Sequence, residues 1–222
     1  MNMIHENMNR GLTRKGWAEA RHTFSFGDFL DPTRMGFGRL RVLNEDWIVP
    51  GAGFAAHDHA DMDILTLVLS GRIRHEDSLG NRAEISPGEV QLMRAGDGIT
   101  HSEVNASDTE AAHVLQIWLI PDGRGGTPSY GSAPLAPGQL AGPDGPLRLG
   151  SDSRVSYLRA TEGEVTPLPV DPGRLVFVQL LDGFAEIEGE RVTAGDGLQI
   201  TDTPGALQWH SEGAALIFDM PR

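Results

Sequence analysis

Two pairs of side chains, each skipping one residue, constrain this chain more than anything else in it: His57-x-His59 and His101-x-Glu103. Successive side chains of a β-strand point to opposite faces, so a skip of one puts both partners on the same face. Two such strands side by side would aim three imidazoles and one carboxylate at a single point. That donor set suits a divalent transition metal, with iron, copper, nickel, manganese and zinc all compatible. A metal that accepts six ligands and takes four from the protein keeps two positions open for chemistry.

The flanking residues agree with strands. The first pair follows the turn-rich Gly51-Ala52-Gly53-Phe54 and precedes the apolar run Ile64-Leu65-Thr66-Leu67-Val68-Leu69, which ends at Ser70-Gly71. The second follows Gly96-Asp97-Gly98-Ile99-Thr100, a turn running into a β-branched stretch. A lone His-x-His arises often by chance, so the weight lies on two pairs that both sit at strand starts beside apolar sequence.

The turn load extends this to the whole chain. With 28 Gly and 14 Pro in 222 residues, many short strands are favoured over long helices, and 39% hydrophobic residues can form a core. Residues 12–48 read as lead-in loops with one or two strands. From Trp47 to Pro121 the strand signal is dense, with turns at Ser78-Leu79-Gly80-Asn81 and Ser86-Pro87-Gly88-Glu89. Residues 121–146 carry Gly and Pro throughout and are expected to lack regular structure. Strands return after Arg148.

The two halves echo each other. Leu69-Ser70-Gly71 closes an apolar run, as Leu181-Asp182-Gly183 does later, and Ile85-Ser86-Pro87-Gly88-Glu89 resembles Val192-Thr193-Ala194-Gly195-Asp196. A duplicated β-barrel unit explains this. The second copy lacks the histidine pair: counting back from Gly183 by the same offsets lands on Pro169 and Asp171. His210-Ser211-Glu212 repeats the text of His101-Ser102-Glu103, but half a ligand set is no site, and a polar loop is expected there. The expected organisation is residues 1–121 as a metal-binding unit, 122–146 as a linker and 147–222 as a second unit without metal.

Several functions are disfavoured. A formal net charge of −13 repels phosphate backbones, so direct nucleic-acid binding is not expected. The absence of cysteine removes disulfides, thiolate zinc sites and cysteine nucleophiles, and fits the cytoplasm. The first twelve residues do not read as a secretory signal, and no run has the roughly 18 apolar residues of a membrane span. No heptad or apolar helix argues for assembly, so a monomer is expected.

At this point the residues resemble a family. The stretch HDHADMDILTLVLSGRIRHEDSLGN, followed by ISPGEVQLMRAGDGITHSE, is similar to the pirin family of bicupins, as are RHTFSF and MGFG upstream. The resemblance is strong over roughly the first 130 residues and weak beyond. It implies an all-β fold of two tandem jelly-roll-like barrels with one metal in the first. Its ligands would be His57, His59, His101 and Glu103. Iron(II) is the expected metal, with zinc, nickel, manganese, copper and cobalt as alternatives. Bacterial members resemble quercetin 2,3-dioxygenase, which implies dioxygen and a small aromatic substrate, a flavonol whose ring opens with loss of carbon monoxide. Glu103 would be both ligand and base for the flavonol hydroxyl. Vertebrate members act as nuclear co-regulators, so a non-enzymatic metal-binding regulator with a protein partner is the alternative, and a zinc isomerase or hydrolase a third.

In the general cupin pattern a carboxylate downstream of His-x-His binds the metal. Asp63 stands there, and since Glu103 supplies the carboxylate in pirin-like proteins, Asp63 is expected to support the site or orient a ligand histidine. Phe54, Met62, Met93 and Ile99 are candidate walls for a flat ring, although ordinary core packing is the simpler role for each. His75 is expected on an exposed hairpin, with Glu76-Asp77 as its solvated edge, and His113 as a structural histidine. His22 receives no role.

Overall fold

A computed structural model of the chain describes residues 3–168, 171–201 and 205–222. The described residues are almost entirely strands and turns, with one 3-10 turn at Asn7–Asn9. No helix among them is long and apolar enough to cross a membrane. The all-β expectation holds; Pro169 lies outside the described residues.

Each half of the chain pairs a large sheet with a four-stranded one. In the front half a seven-stranded sheet runs, in spatial order, Ser129–Pro134, Glu89–Arg94, Asp63–Ser70, Ala112–Leu119, Leu40–Ile48, Ala18–His22 and Gly11–Lys15. Facing it are Gly53–His59, Ile99–Asn105, Ile73–Asp77 and Arg82–Ile85. The back half has a six-stranded sheet: Met3–His5, Gly197–Ile200, Arg174–Asp182, Gly213–Pro221, Arg154–Ala160 and Gly138–Ala141. Its small sheet is Val165–Leu168, Gly205–Trp209, Phe184–Ile187 and Glu190–Thr193. All pairings between strands are antiparallel.

The run Ile64–Leu69 is apolar at consecutive positions because its sheet is buried on both faces. Leu65 and Leu67 pack, with Leu43, Leu115 and Ile117, against Phe177, Leu216, Phe218 and Met220 of the back half. Val68, on the opposite face, joins Ile48, Ile73, Ile85 and Val114 inside the front half. The two halves therefore share one core between their large sheets; the back half keeps one further core of its own and the front half two.

The internal echo is structural. Gly71 and Gly183 both have left-handed backbones, φ +73° and +75°, that favour glycine. A Cβ at either would strike the Cα that opens the next long strand, Ala112 or Gly213. Glu89 accepts a hydrogen bond from the Ser86 N–H, and Asp196 repeats this with Thr193.

Two sequence expectations fail here. Residues 12–48 contribute to three strands of the large sheet, more than expected. The Gly/Pro-rich stretch holds two strands, Ser129–Pro134 and Gly138–Ala141. Both are edge strands, where proline leaves no ladder bond broken on its outer side, which is why a composition typical of loops can pair.

Candidate metal centre

The site begins with the ladder between Gly53–His59 and Ile99–Asn105. His57 stands opposite His101 and His59 opposite Ile99. A register shift then separates His101 from Glu103, a bulge of the kind that re-aims side chains near sites. Gly53 permits the close approach, since a Cβ there would lie 2.2 Å from the Glu103 carbonyl oxygen. Ile99, His101, Glu103 and Asn105 alternate inward, all buried.

The three imidazoles form a triangle. Ring centres lie 4.8 Å apart for His57–His59, 4.6 Å for His57–His101 and 5.0 Å for His59–His101. Their nearest nitrogens all lie within 4.8 Å of one another. His57 Nδ1 is 2.7 Å from the Ala55 carbonyl, which fixes that nitrogen as the N–H donor and leaves Nε2 as an acceptor. Trp118 packs edge-on against His59 at 4.8 Å. Burial, then the neighbouring His57, pushes His59 down to about 4, and burial with both His57 and His59 pushes His101 down to about 3. These two rings are neutral near neutrality, the form that ligates metals. Both ring nitrogens of His101 are buried without a hydrogen-bond partner. Such a group is costly unless something completes it, and a cation held by three imidazoles does so.

Glu103 does not close this triangle. Its oxygens form a second cluster with His101 and His75, so His101 belongs to both. The Glu103 carboxyl is 3% exposed and is held from the large sheet by Thr66 Oγ1 at 3.0 Å and by the amides of Gln91 and Gln116. The three donors come from one row, since Gln91 is opposite Thr66 and Thr66 opposite Gln116, with Asn44 and His22 next in line. Burial raises the Glu103 carboxyl overall, opposed in part by His75 and by the bonds from Thr66 and Gln116.

Sequence reading missed this row and misplaced His75. His75 is fully buried rather than on an exposed hairpin, 3.1 Å from Asp77 and stacked on Tyr130 at 4.5 Å. Asp77 is no solvated edge; its side chain is buried and accepts bonds from Leu79 and Asn81. Glu76 is about half exposed. The available signal was a polar residue alternating with apolar ones inside strands, as at Thr66, Gln91 and Gln116.

The remaining residues sort by position. His22 bonds Asn44 at 2.8 Å and Thr13 at 2.9 Å. His113 is structural, 2.7 Å from Glu45 and stacked on Trp47. Asp63 orients no histidine; it pairs with Arg94 and accepts from the Gly150 N–H, tying the front sheet to the chain that enters the back half. His210-Ser211-Glu212 is the loop between Gly205–Trp209 and Gly213–Pro221.

The imidazoles open on a cleft of about 630 Å³, which falls within the usual range of small-molecule sites. Two edge-to-face aromatic pairs contribute to its walls, Trp17 on Phe54 at 5.0 Å and Phe26 on Trp118 at 5.5 Å. Of the candidate ring contacts, Phe54 lines the cleft. Met93 and Ile99 are buried with Ile64 and Ala95, and Met62 packs against that cluster.

Comparison with known proteins follows the same division. Residues 5–119 match the family model for pirin, and residues 140–220 match the model for the quercetinase C-terminal cupin domain. The chain is 39% identical over 220 residues to a quercetin 2,3-dioxygenase of Escherichia coli strain K12, covering 96% of this chain and 95% of that protein. It is also 39% identical to a pirin-like protein of Caulobacter vibrioides over 84% of this chain and 85% of that one. The crystal structure of a bacterial pirin, YhhW from Escherichia coli, in complex with nickel(II) superposes with a TM-score of 0.96 at 38% identity, covering 100% of this chain and 99% of that one.

Proposed function

The chain belongs to the pirin family, and from that premise we propose that it is a metal-dependent dioxygenase that opens the ring of flavonols such as quercetin. The observation that carries this reading is the pair of orphaned nitrogens on His101, inside a triangle of imidazoles at an aromatic-walled cleft. His57, His59 and His101 would hold one divalent ion, with Glu103, which clusters with His101 rather than with all three rings, as the carboxylate proposed to join them and iron(II) as the working metal. A relative that carries nickel(II) supports a divalent ion in this fold. When bound, such an ion supplies Lewis-acid and one-electron chemistry.

The chain's own residues would do the rest. Trp17, Phe54, Phe26 and Trp118 would sandwich a flat ring and keep water from it. Thr66, Gln91 and Gln116 hold Glu103 in place, so its orientation is set before a ligand arrives. We read each half as a cupin barrel, with the metal in the front one alone, and the protein as a cytoplasmic monomer.

The test is optical. Quercetin mixed anaerobically with iron-loaded protein should show a shifted flavonol band, and admitting air should bleach that band with release of carbon monoxide. An unperturbed band at high protein concentration, or a shifted band that survives in air, overturns the reading.

A further inference from the structure

Asp46 is the buried carboxylate of the cleft wall that neither holds the ion nor anchors a group that does. It lies on Leu40–Ile48, two residues from Asn44 and on the same inward face. Its ladder neighbours are Ala20 and Val114, neither of which offers a side-chain donor. The residue is 2% exposed, lines the cleft with the imidazoles, and its Oδ2 has no hydrogen-bond partner. A buried carboxyl oxygen without a donor costs stability.

The contrast with Glu103 is chemical. Glu103 Oε1 is held by Thr66 and Gln91 and its Oε2 by Gln116, and in the proposed site its remaining lone pair is committed to the ion. A general base needs a carboxylate that other donors do not hold. Asp46 lines the cleft and its Oδ2 has no donor.

We propose that Asp46 is the proton acceptor for a ring hydroxyl of the substrate in this cleft. The hydroxyl O–H bond breaks, the proton passes to the Asp46 carboxylate, and the electron pair stays on the substrate oxygen as an oxyanion; no oxidant is consumed. The ligand class is a phenol or enol whose hydroxyl reaches Asp46 while its ring lies between the aromatic pairs. Burial, reinforced by the charge of Glu103, pushes the Asp46 carboxyl up to about 7, close to the optimum for a base working near neutrality. The assignment rests on the flavonol reading for its substrate and on the geometry of Asp46 for its role.

The test counts protons. Quercetin is titrated anaerobically into nickel(II)-loaded protein in weak buffer at mildly alkaline pH with an indicator dye, while its own band reports ionisation. The wild-type protein should bind the ionised flavonol with no net proton release. Asp46→Asn should either release about one proton per ionised flavonol or bind it un-ionised. Ionisation with equal proton release from both proteins overturns the proposal. Asp46→Ser, which also removes the carboxylate, provides the comparison if the Asn variant does not fold. If the wild-type protein takes up the proton but its iron(II)-loaded form, given air, never consumes oxygen, the dioxygenase reading is overturned and Asp46 is left standing. Wild-type protein that binds no flavonol overturns both.

Discussion

The two halves are built on the same ladders and filled with opposite chemistry. Asn105 pairs with Ile73, two residues after Gly71, and Trp209 pairs with Ala185, two residues after Gly183. Stepping back along each strand, Leu207 occupies the place of Glu103 and Gly205 that of His101. In the large sheets the front row Gln91–Thr66–Gln116–Asn44 becomes Leu198–Val178–Ile217–Ser156. Asp46, beside Val114, becomes Leu158, beside Ala215. Four aliphatic side chains thus stand where the front half has the carboxylate and its three donors. A buried carboxylate with its donors, or none of them, is tolerable, whereas any subset leaves a group unsatisfied.

The largest test of this contrast removes the residue common to both front clusters. His101→Ala should abolish metal binding, a loss well beyond the about 10–100-fold cost of disturbing outer-shell partners, as read by elemental analysis. Metal retained at full occupancy would mean the triangle is not the site. Next, Leu207→Glu places the front carboxylate on the back scaffold without its donors. It should destabilise the protein by about 3–5 kcal/mol in urea unfolding and bring no metal with it; a mild effect would show that the back cavity can hydrate.

A subtler difference is the pH dependence that Asp46 imposes and Leu158 does not. With its folded value raised to about 7, Asp46 keeps a proton in the native state that the unfolded chain has lost. Its contribution to stability therefore falls as pH rises from about 4 to about 7. Asp46→Asn should gain on the wild type across that interval, by about 2–4 kcal/mol at its upper end, in paired denaturation curves of metal-free protein. A constant offset would show that Asp46 titrates normally. The smallest effect belongs to His210→Ala, which should change neither metal content nor stability beyond about 0.5 kcal/mol. Lost metal there would give the back half a role it is not assigned.

What the sequence revealed follows from range. The i, i+2 spacing of His57-x-His59 and His101-x-Glu103 is local, and strands carry it faithfully to one face. The glycine turns at Gly71 and Gly183 are local too. The row that anchors Glu103 is not: Gln91, Thr66 and Gln116 lie on three strands, and only the ladder register aligns them. The hairpin residues His75 and Asp77 carry polar text and a nearby turn, so they read as solvent-facing. The Ser129–Pro134 strand, paired to Glu89–Arg94, contributes Tyr130 to stack on His75. Asp46 was invisible for the same reason, since an acid between Glu45 and Trp47 shows its inward face only once Ala20 and Val114 flank it.

The opening strand Met3–His5 adds an edge to the back sheet by pairing with Gly197–Ile200, and Asn7 then accepts no substitute at its neighbour: a side chain on Gly195 would collide with it. Met3–His5 thus completes a sheet whose other strands lie between Gly138 and Pro221. During synthesis that edge can form only once Gly197–Ile200 has been made. A front fragment expressed by itself would display a strand with no mate, and a back fragment would bare the Gly197–Ile200 rim to self-association.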